Sequence, residues 1–348
     1  MAVRKVGTCR IVRELGRGGM GVVFEAFQEG LDRRVAVKAL DVKLARSKEL
    51  TERFRREGRA YAQLRHQAVV AVHDLLEKED TLYLVTDFVD GADLNRVLLQ
   101  GGALPPVCAA LIGARLAEAL DYVHFNGLLH RDVKPANVMI SRDGEVKLMD
   151  FGIAKDQNAS DLTRAGMLVG SPSYIAPELL GGEPADPQTD VWALGVTLYE
   201  LLTGEKPFRG ADSESLFNAI RSGAFHRLRR VAPAVPRRLA RAIEKCLAPR
   251  RRRWKSAGAL ARQLEVVAAR MLKGMHPQAR LVALMAHRGF AEEQEALTRV
   301  DAATLAATRS TDEAGSTVLL VPRKPRLRWA VAVVLAVTAG LVAWLIRF

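Results

Sequence analysis

Cysteine is scarce in this chain. Cys9, Cys108 and Cys246 are odd in number and widely separated, so they can build neither a disulfide framework nor a paired zinc-ligand spacing. The folded part is therefore expected in a reducing compartment. No secretory leader is expected either: Arg4 and Lys5 are followed by no apolar run before the first motif, and the N-terminus is expected to stay on the side of synthesis. No unit recurs at the roughly 20 to 50 residue periods that mark solenoids and propellers. Acidic residues are outnumbered, 39 against 52 lysines and arginines, which leaves a net charge of +13. That excess favours anionic partners, whether nucleic acid, acidic lipid or phosphorylated substrates, without choosing among them.

The chain is nonetheless rich in core-forming residues. Its 348 residues are 49% hydrophobic, enough for two or three compact units. From Cys9 to about Leu40 apolar and polar residues alternate with glycine punctuation, as in Val22, Val23, Phe24 and Ala26 and again in Val35, Ala36 and Val37, a pattern that predicts antiparallel strands. Ser47 to Leu64 carries helical spacing, with Leu50, Phe54, Tyr61 and Leu64 among charges. Val69 to Phe88 returns to strand alternation around a turn at Lys78, Glu79 and Asp80. After Gly91 the texture lengthens into Ala- and Leu-rich helices at Pro105 to Asn126, Thr189 to Thr203, Ser213 to Ser222, Pro236 to Leu247 and Ser256 to Leu272. The predicted fold class is α+β: a small antiparallel sheet lobe with one main helix over 9–90, then a larger, mostly helical lobe over 91–272. A linker over 273–328 follows, partly helical at Ala279 to Val300 or disordered around the small, polar Ser310 to Ser316.

Chemistry concentrates in five short motifs. Gly16-Arg17-Gly18-Gly19-Met20-Gly21-Val22-Val23 contains G-x-G-x-x-G-x-V, in which missing side chains let backbone amides approach phosphates. A dinucleotide-binding turn would need a helix to begin there, yet strand-like Val-Val-Phe-Glu-Ala-Phe follows, and no Walker A lysine does. Val35-Ala36-Val37-Lys38 then sets a lysine at the end of a buried strand, where an unpaired ammonium is costly. A triphosphate and a helix carboxylate would supply its partners. Glu57 is the best placed carboxylate, the plainer alternative being a solvated helix charge. The remaining motifs, in order, are His130-Arg131-Asp132-Val133-Lys134-Pro135-Ala136-Asn137, then Asp150-Phe151-Gly152 after a hairpin predicted at Asp143-Gly144, and Ala176-Pro177-Glu178.

In this order and spacing the motifs resemble the protein kinase family over Cys9 to about Leu272. The resemblance implies a two-lobed protein kinase fold that uses ATP and Mg2+. It implies that Gly16, Gly18 and Gly21 cover the phosphates, with Val23 and Ala36 against adenine and Lys38 paired with Glu57. Thr86 would be the gatekeeper, Asp87 to Val89 the hinge and Met139 the floor of the purine site. Asp132 would orient the acceptor hydroxyl and take its proton beside Lys134, while Asn137 and Asp150 would hold magnesium. Asp190, opening Asp190-Val191-Trp192-Ala193-Leu194-Gly195, would brace the catalytic loop backbone. Arg253 resembles the arginine that pairs with Glu178, although any of Arg250 to Arg253 could serve.

Lys134 points to serine or threonine acceptors on protein substrates. Ser171, in Gly170-Ser171-Pro172, keeps the hydroxyl that the family commonly supplies as threonine. Arg131 resembles a cation left uncompensated until a phosphate arrives on the loop Ile153 to Ser173, with Thr163 the first acceptor to consider and Ser160 nearby. Two rivals differ in class. A pseudokinase acting as a membrane-anchored scaffold is opposed by the filled catalytic positions, and a small-molecule phosphotransferase is opposed by Ala176-Pro177-Glu178.

Trp329 to Ile346 is eighteen residues with Thr338 as its one polar side chain, about 27 Å as a helix. Arg323, Lys324, Arg326 and Arg328 crowd one end, and Trp329 and Trp344 mark two interfaces. A single transmembrane helix over 329–346 is expected, contacting membrane lipid, with the kinase lobes cytoplasmic and Arg347 and Phe348 beyond the bilayer. Ala332, Ala336 and Gly340 form a small-residue stripe along which a homodimer could pack, alanine filler being an equal reading. The basic stretch Arg221 to Lys255 reads by default as solvated helix surface, with anionic lipid or acidic substrates as alternatives. Nucleic-acid binding is not expected.

Overall fold

The computed structural model describes residues 5–18, 21–40, 48–78, 81–152 and 172–292. Ser160, Thr163, Ser171, the turn residues Glu79 and Asp80, and the apolar run 329–346 with its stripe lie outside them. Among the described residues no helix is long and apolar enough to cross a membrane.

The N-terminal part is a six-stranded antiparallel sheet. Its strands are β1 (Lys5–Val6), β2 (Cys9–Gly18), β3 (Gly21–Gln28), β4 (Arg33–Leu40), β5 (Val72–Lys78) and β6 (Thr81–Asp87), in the order β1-β2-β3-β4-β6-β5. Alternation in β4 sorts its side chains. Val35 and Val37 are fully buried with Ala26, Tyr83 and Val85 on one face. Ala36 and Lys38 therefore turn to the other face, toward the cleft. Helix α1 (Lys48–Tyr61) packs against β5 and buries Phe54, Glu57 and Tyr61.

A second sheet of β7 (Gly91–Asp93), β8 (Val138–Ser141) and β9 (Val146–Leu148), in the order β7-β8-β9, lies below the cleft. Val70 N–H donates to the Leu148 carbonyl at 2.9 Å and Leu148 N–H to the Ala68 carbonyl at 2.8 Å, so the strand leading to Asp150 is stitched to the sheet lobe.

The helical lobe comprises α2 (Leu94–Gly101), α3 (Pro106–Phe125), α4 (Pro177–Leu180), α5 (Pro187–Thr203), α6 (Ser213–Ser222), α7 (Leu228–Val231), α8 (Arg237–Cys246), α9 (Ala257–Leu272) and α10 (Pro277–His287). Helix α5 is its axis. It is buried on nearly every side, Gln188, Asp190 and Thr197 included, as a helix enclosed by others should be. An Asp186–Thr189 capping box starts it and left-handed Gly204 ends it. A β-carbon on Gly195 would fall 2.4 Å from Cys246 Cβ, so α5 and α8 approach as closely as they do because that side chain is missing.

Besides the four-residue α4 and α7, two helices depart from the sequence expectations. Helix α2 was not foreseen. Asp93 caps it by accepting from Arg96 N–H at 2.9 Å, and Leu94 and Val97 are fully buried, an N-cap followed by apolar i, i+3 spacing. Helix α10 begins at Pro277, inside the stretch expected as linker, and its Leu281, Val282 and Met285 are buried. Gln278 ties its start to the Asp143 carbonyl at 2.8 Å and Arg288 ties its end to the Ala103 carbonyl at 3.0 Å. The linker's first part is thus core of the lobe, because its apolar face has α3 to pack against.

Of the four consecutive arginines, Arg253 is the partner of Glu178. Its guanidinium makes two bonds to that carboxylate, at 2.6 and 3.1 Å, and a third to the Gln188 carbonyl at 2.9 Å. The pair is sealed, with side-chain exposures of 0% and 3%. Arg250 reaches Glu183 and Asp186 instead. Removing one partner of a sealed pair leaves the other charge buried alone, so Arg253→Met is expected to lower stability by about 3–5 kcal/mol, whereas exposed Arg251→Met stays within about 0.5 kcal/mol. Urea denaturation of the two variants checks the contrast.

Candidate active site

The catalytic loop hangs from one carboxylate on α5. Asp190 accepts the amide of His130 at 2.9 Å and that of Arg131 at 2.8 Å, and His124 Nε2 lies 2.8 Å away. Burial by itself would raise the Asp190 pKa, but the hydrogen bond and charge of His124, joined by the His130 side chain and amide, hold it below the usual carboxylate range. The paired amides stabilise a backbone that would otherwise resist: Arg131 has φ of 63°, a left-handed conformation unusual for a residue with a side chain.

His130 is fully buried, and that burial lowers its pKa. Its hydrogen bonds fit the neutral ring, with Nε2 donating to the Met149 carbonyl at 3.0 Å and Nδ1 accepting from Asp132 N–H at 3.3 Å. Phe151 lies between His130, at a centroid distance of 4.7 Å, and Tyr61 of α1, at 4.1 Å. The Tyr61 hydroxyl donates to the Leu129 carbonyl at 3.0 Å. An aromatic column thus joins α1 to the loop, and sequence reading missed it. Its signal was Tyr61 standing one helical turn after Glu57.

Around this frame the polar groups converge. Lys134 Nζ is 2.8 Å from Asp132 Oδ2, and Asn137 Nδ2 donates to both Asp132 Oδ2 and the Asp132 carbonyl at 2.8 Å. The short turn Pro135–Asn137 carries Asn137 back to the loop. Met149 N–H to the Asn137 carbonyl, at 2.9 Å, sets the start of the Asp150 segment beside it. Lys38 Nζ crosses the cleft to Asp150 Oδ1 at 2.7 Å.

The expected Lys38–Glu57 pair is not formed. Glu57 Oε1 is bonded instead to Arg131 Nη1 at 3.2 Å. Arg131, expected to wait uncompensated, therefore has a carboxylate, and Lys38 has Asp150. Sequence could not choose, because two cations and two carboxylates from separate elements meet in one cleft and the partition among them is a matter of fine geometry.

The roof and back of the cleft follow the strand register. Gly18 lies opposite Gly21, Gly16 opposite Val23, Val23 opposite Lys38, and Ala36 opposite Thr86. Gly21 has φ of 133°, open only to glycine. A β-carbon on Gly16 or Gly18 would meet nothing within 4 Å, so packing among the described residues does not demand glycine there, and a close approach by phosphates would. Asp87 turns its carboxylate onto the Ala71 amide at 3.1 Å and His73 at 2.7 Å. Its amide goes to the Ala71 carbonyl at 3.0 Å, and its carbonyl accepts from the Thr86 hydroxyl at 3.3 Å while keeping a second lone pair for a purine donor. Met139 lies between Asp93 and Lys147 on β8.

The donor set suits magnesium. Among the described residues no three His, Cys, Asp or Glu side chains cluster as a metal cage, and magnesium is commonly held by one or two carboxylates together with substrate phosphates. Asp150 offers a carboxylate. Asn137 spends its amide nitrogen on Asp132 and so has its oxygen to offer.

A glycine-bridged sheet lobe, a helical lobe and these charged groups between them define a phosphotransferase fold, and the chain belongs to the protein kinase family: the family model described as protein kinase domain matches residues 9–283. Among its relatives, it is 44% identical over 209 residues to serine/threonine-protein kinase PknA of Mycobacterium tuberculosis (strain ATCC 25618 / H37Rv), a match covering 59% of this chain and 48% of PknA. It is 39% identical over 281 residues to serine/threonine-protein kinase PkaA of Streptomyces coelicolor, covering 76% of this chain and 51% of PkaA. The chain spans about half the length of these curated relatives. Among solved structures, the M. tuberculosis PknI kinase domain superposes with a TM-score of 0.62 at 30% identity, over 76% of this chain and 97% of that one. Rad53 1–466 in complex with AMP-PNP superposes with a TM-score of 0.63 at 26% identity, over 74% and 64%.

A histidine held neutral by burial ties stability to pH. The unfolded chain takes up a proton near the ordinary histidine pKa and folded His130 does not, so stability falls as pH drops below about 6.5, by up to about 1.4 kcal/mol per pH unit for this one group. Asp190, held low, adds its own loss only in more acid solution. His130→Phe is expected to flatten the dependence between about pH 7 and 5.5. Denaturation curves with the same slope in both proteins would contradict a neutral His130.

Proposed function

We propose that this chain transfers the γ-phosphoryl group of ATP to serine and threonine hydroxyls of proteins, and that it does so at a membrane. The observation that carries the reading is the meeting of Lys38 with Asp150 and of Asp132 with Lys134 and Asn137 in one cleft. The printed names of its relatives as serine/threonine-protein kinases support the acceptor class, and the likeness to a protein solved with AMP-PNP supports the donor.

The chemistry needs little from the protein beyond position and charge. The acceptor oxygen forms a bond to the γ-phosphorus while the bond to the bridging oxygen of ADP breaks, and the hydroxyl proton passes to the Asp132 carboxylate. Lys134, held beside Asp132, supplies positive charge to the phosphoryl oxygens in flight. Lys38 anchors the α- and β-phosphates at the back of the cleft. Asp150 and the Asn137 side-chain oxygen are the groups that would hold magnesium, which when bound neutralises charge on the phosphate oxygens.

The Arg131–Glu57 bond suggests how the cleft is switched. A phosphate on the loop 153–173, with Thr163 as first acceptor, would compete for Arg131 through charge-assisted hydrogen bonds. Glu57 would then be released to Lys38, and Lys38 from Asp150. The apolar run 329–346 with its basic flank supports a single-pass anchor with the lobes on the cytoplasmic side. A pair of such helices along Ala332, Ala336 and Gly340 would bring one active cleft to the loop of another chain.

Mass spectrometry of the full chain in vesicles after incubation with ATP and magnesium tests this. Phosphate is expected on Thr163 in the wild type and at least about 100-fold less in Lys38→Met and Asp132→Asn, with Gly340→Leu intermediate if pairing matters. A wild-type chain that stays unmodified, and modifies no protein substrate, would leave the scaffold reading standing instead.

A further inference from the structure

Between Arg221 and Lys255 the chain carries thirteen arginines and lysines and one acid, Glu244. That acid is already committed: Arg227 lies 3.1 Å from it and the Leu228 amide 2.9 Å, a link that fixes α7 to α8. Arg253 and Arg250 are consumed by Glu178, Glu183 and Asp186, and Lys245 lies 3.7 Å over the Trp254 ring. What remains includes an exposed group of Arg229, Arg230, Arg237, Arg238, Arg241 and Arg252, none in a salt bridge with a described residue.

The basic side chains of α8 share a face for a structural reason. Helix α8 buries Leu239, Ala240, Ala242, Ile243 and Cys246 against α5 and α9, which turns Arg237, Arg238, Arg241 and Lys245 outward. Trp254 Nε1 donates to the Ala242 carbonyl at 2.9 Å, folding the following turn with Arg252 back along α8. The placement is unfavourable for the helix itself. Arg237 with Arg241, and Arg241 with Lys245, are like charges four residues apart, which repel. Arg237 and Arg238 occupy the first turn, where the exposed amides already carry positive partial charge. A merely solvated face relieves such strain with interspersed acids, and this one has none free.

We propose that the α7–α8 face binds the anionic headgroups of a phospholipid bilayer. A plane of phosphates is the partner that an exposed row of arginines without free acids fits. A nucleic acid fits less well, because single-strand binding uses exposed aromatics for base stacking. In this stretch Phe225 is half-buried against Phe208 and Tyr199, and Trp254 is covered by Lys245. The inference rests on the membrane reading above, since the apolar run 329–346 is what would bring the lobe to a bilayer, and it adds a second contact made by the folded domain.

The test uses the full chain in nanodiscs of phosphatidylcholine alone or of an equimolar mixture with phosphatidylglycerol, read by amide hydrogen exchange. Exchange over 228–252 is expected to slow several-fold in the anionic discs only. The protection should vanish in high salt and in the Arg230→Glu/Arg238→Glu/Arg241→Glu variant, whose melting temperature serves as the folding control. Equal exchange in both discs would overturn the proposal. So would protection that appears only on adding an RNA or an acidic protein, which would assign the face to that partner. A chain that stays out of the discs would count against the anchor alone. The face is then read by co-sedimentation with phosphatidylglycerol vesicles, where binding upholds the proposal and its absence ends it.

Discussion

The cleft depends on a buried carboxylate. Asp190 sits on the enclosed axis helix and holds two successive amides, those of His130 and Arg131, at 2.9 and 2.8 Å. The second belongs to a residue in a left-handed conformation that the loop alone would not keep. From that fixed bend follow the direction of Asp132, the return of Asn137 onto it, and the neutral His130 that carries Met149 and so Asp150. A charge with 1% of its residue exposed is costly unless it is paired and hydrogen-bonded. Here two amides and His124 supply three donors, and the cost is borne where it orders the chemistry.

Electrostatics in the cleft are a partition problem. Lys38 and Arg131 face Asp150 and Glu57, and each cation has one carboxylate at hydrogen-bond distance. Both ion pairs keep partly exposed atoms, with side-chain exposures of 19% and 30% for the first and 21% and 11% for the second. Neither is therefore sealed in the way that Arg253 and Glu178 are. The lobe is held by a pair that cannot exchange, and the cleft by pairs that can.

Much of this was legible in the residues. The strands of the first lobe followed from alternation, α6 spans the residues that spacing gave, and the catalytic groups sit in motifs whose order is itself the signal. Hidden from sequence were the contacts decided by the third dimension. The partition of Glu57 and Arg131 needed the distance between α1 and the catalytic loop. The choice of Arg253 among four arginines needed to know which side chain turns inward at the end of the turn Arg250–Arg252. Helix α10 was misjudged for a related reason: its apolar spacing was visible, but its place in the domain depends on α3 offering a surface to cover.

The most direct measurement compares the wild type with Asp190→Asn for two quantities, the affinity for ATP without magnesium by calorimetry and the rate of phosphoryl transfer to a serine peptide. Lys38, the glycine strands and the hinge do not hang from Asp190, whereas Asp132 does, and a misplacement of about 1 Å at the reacting groups costs on the order of 100-fold in rate. Transfer should fall by about that factor or more while affinity changes only a few-fold. A variant that transfers phosphate at the wild-type rate would contradict the placing of the catalytic loop by this carboxylate.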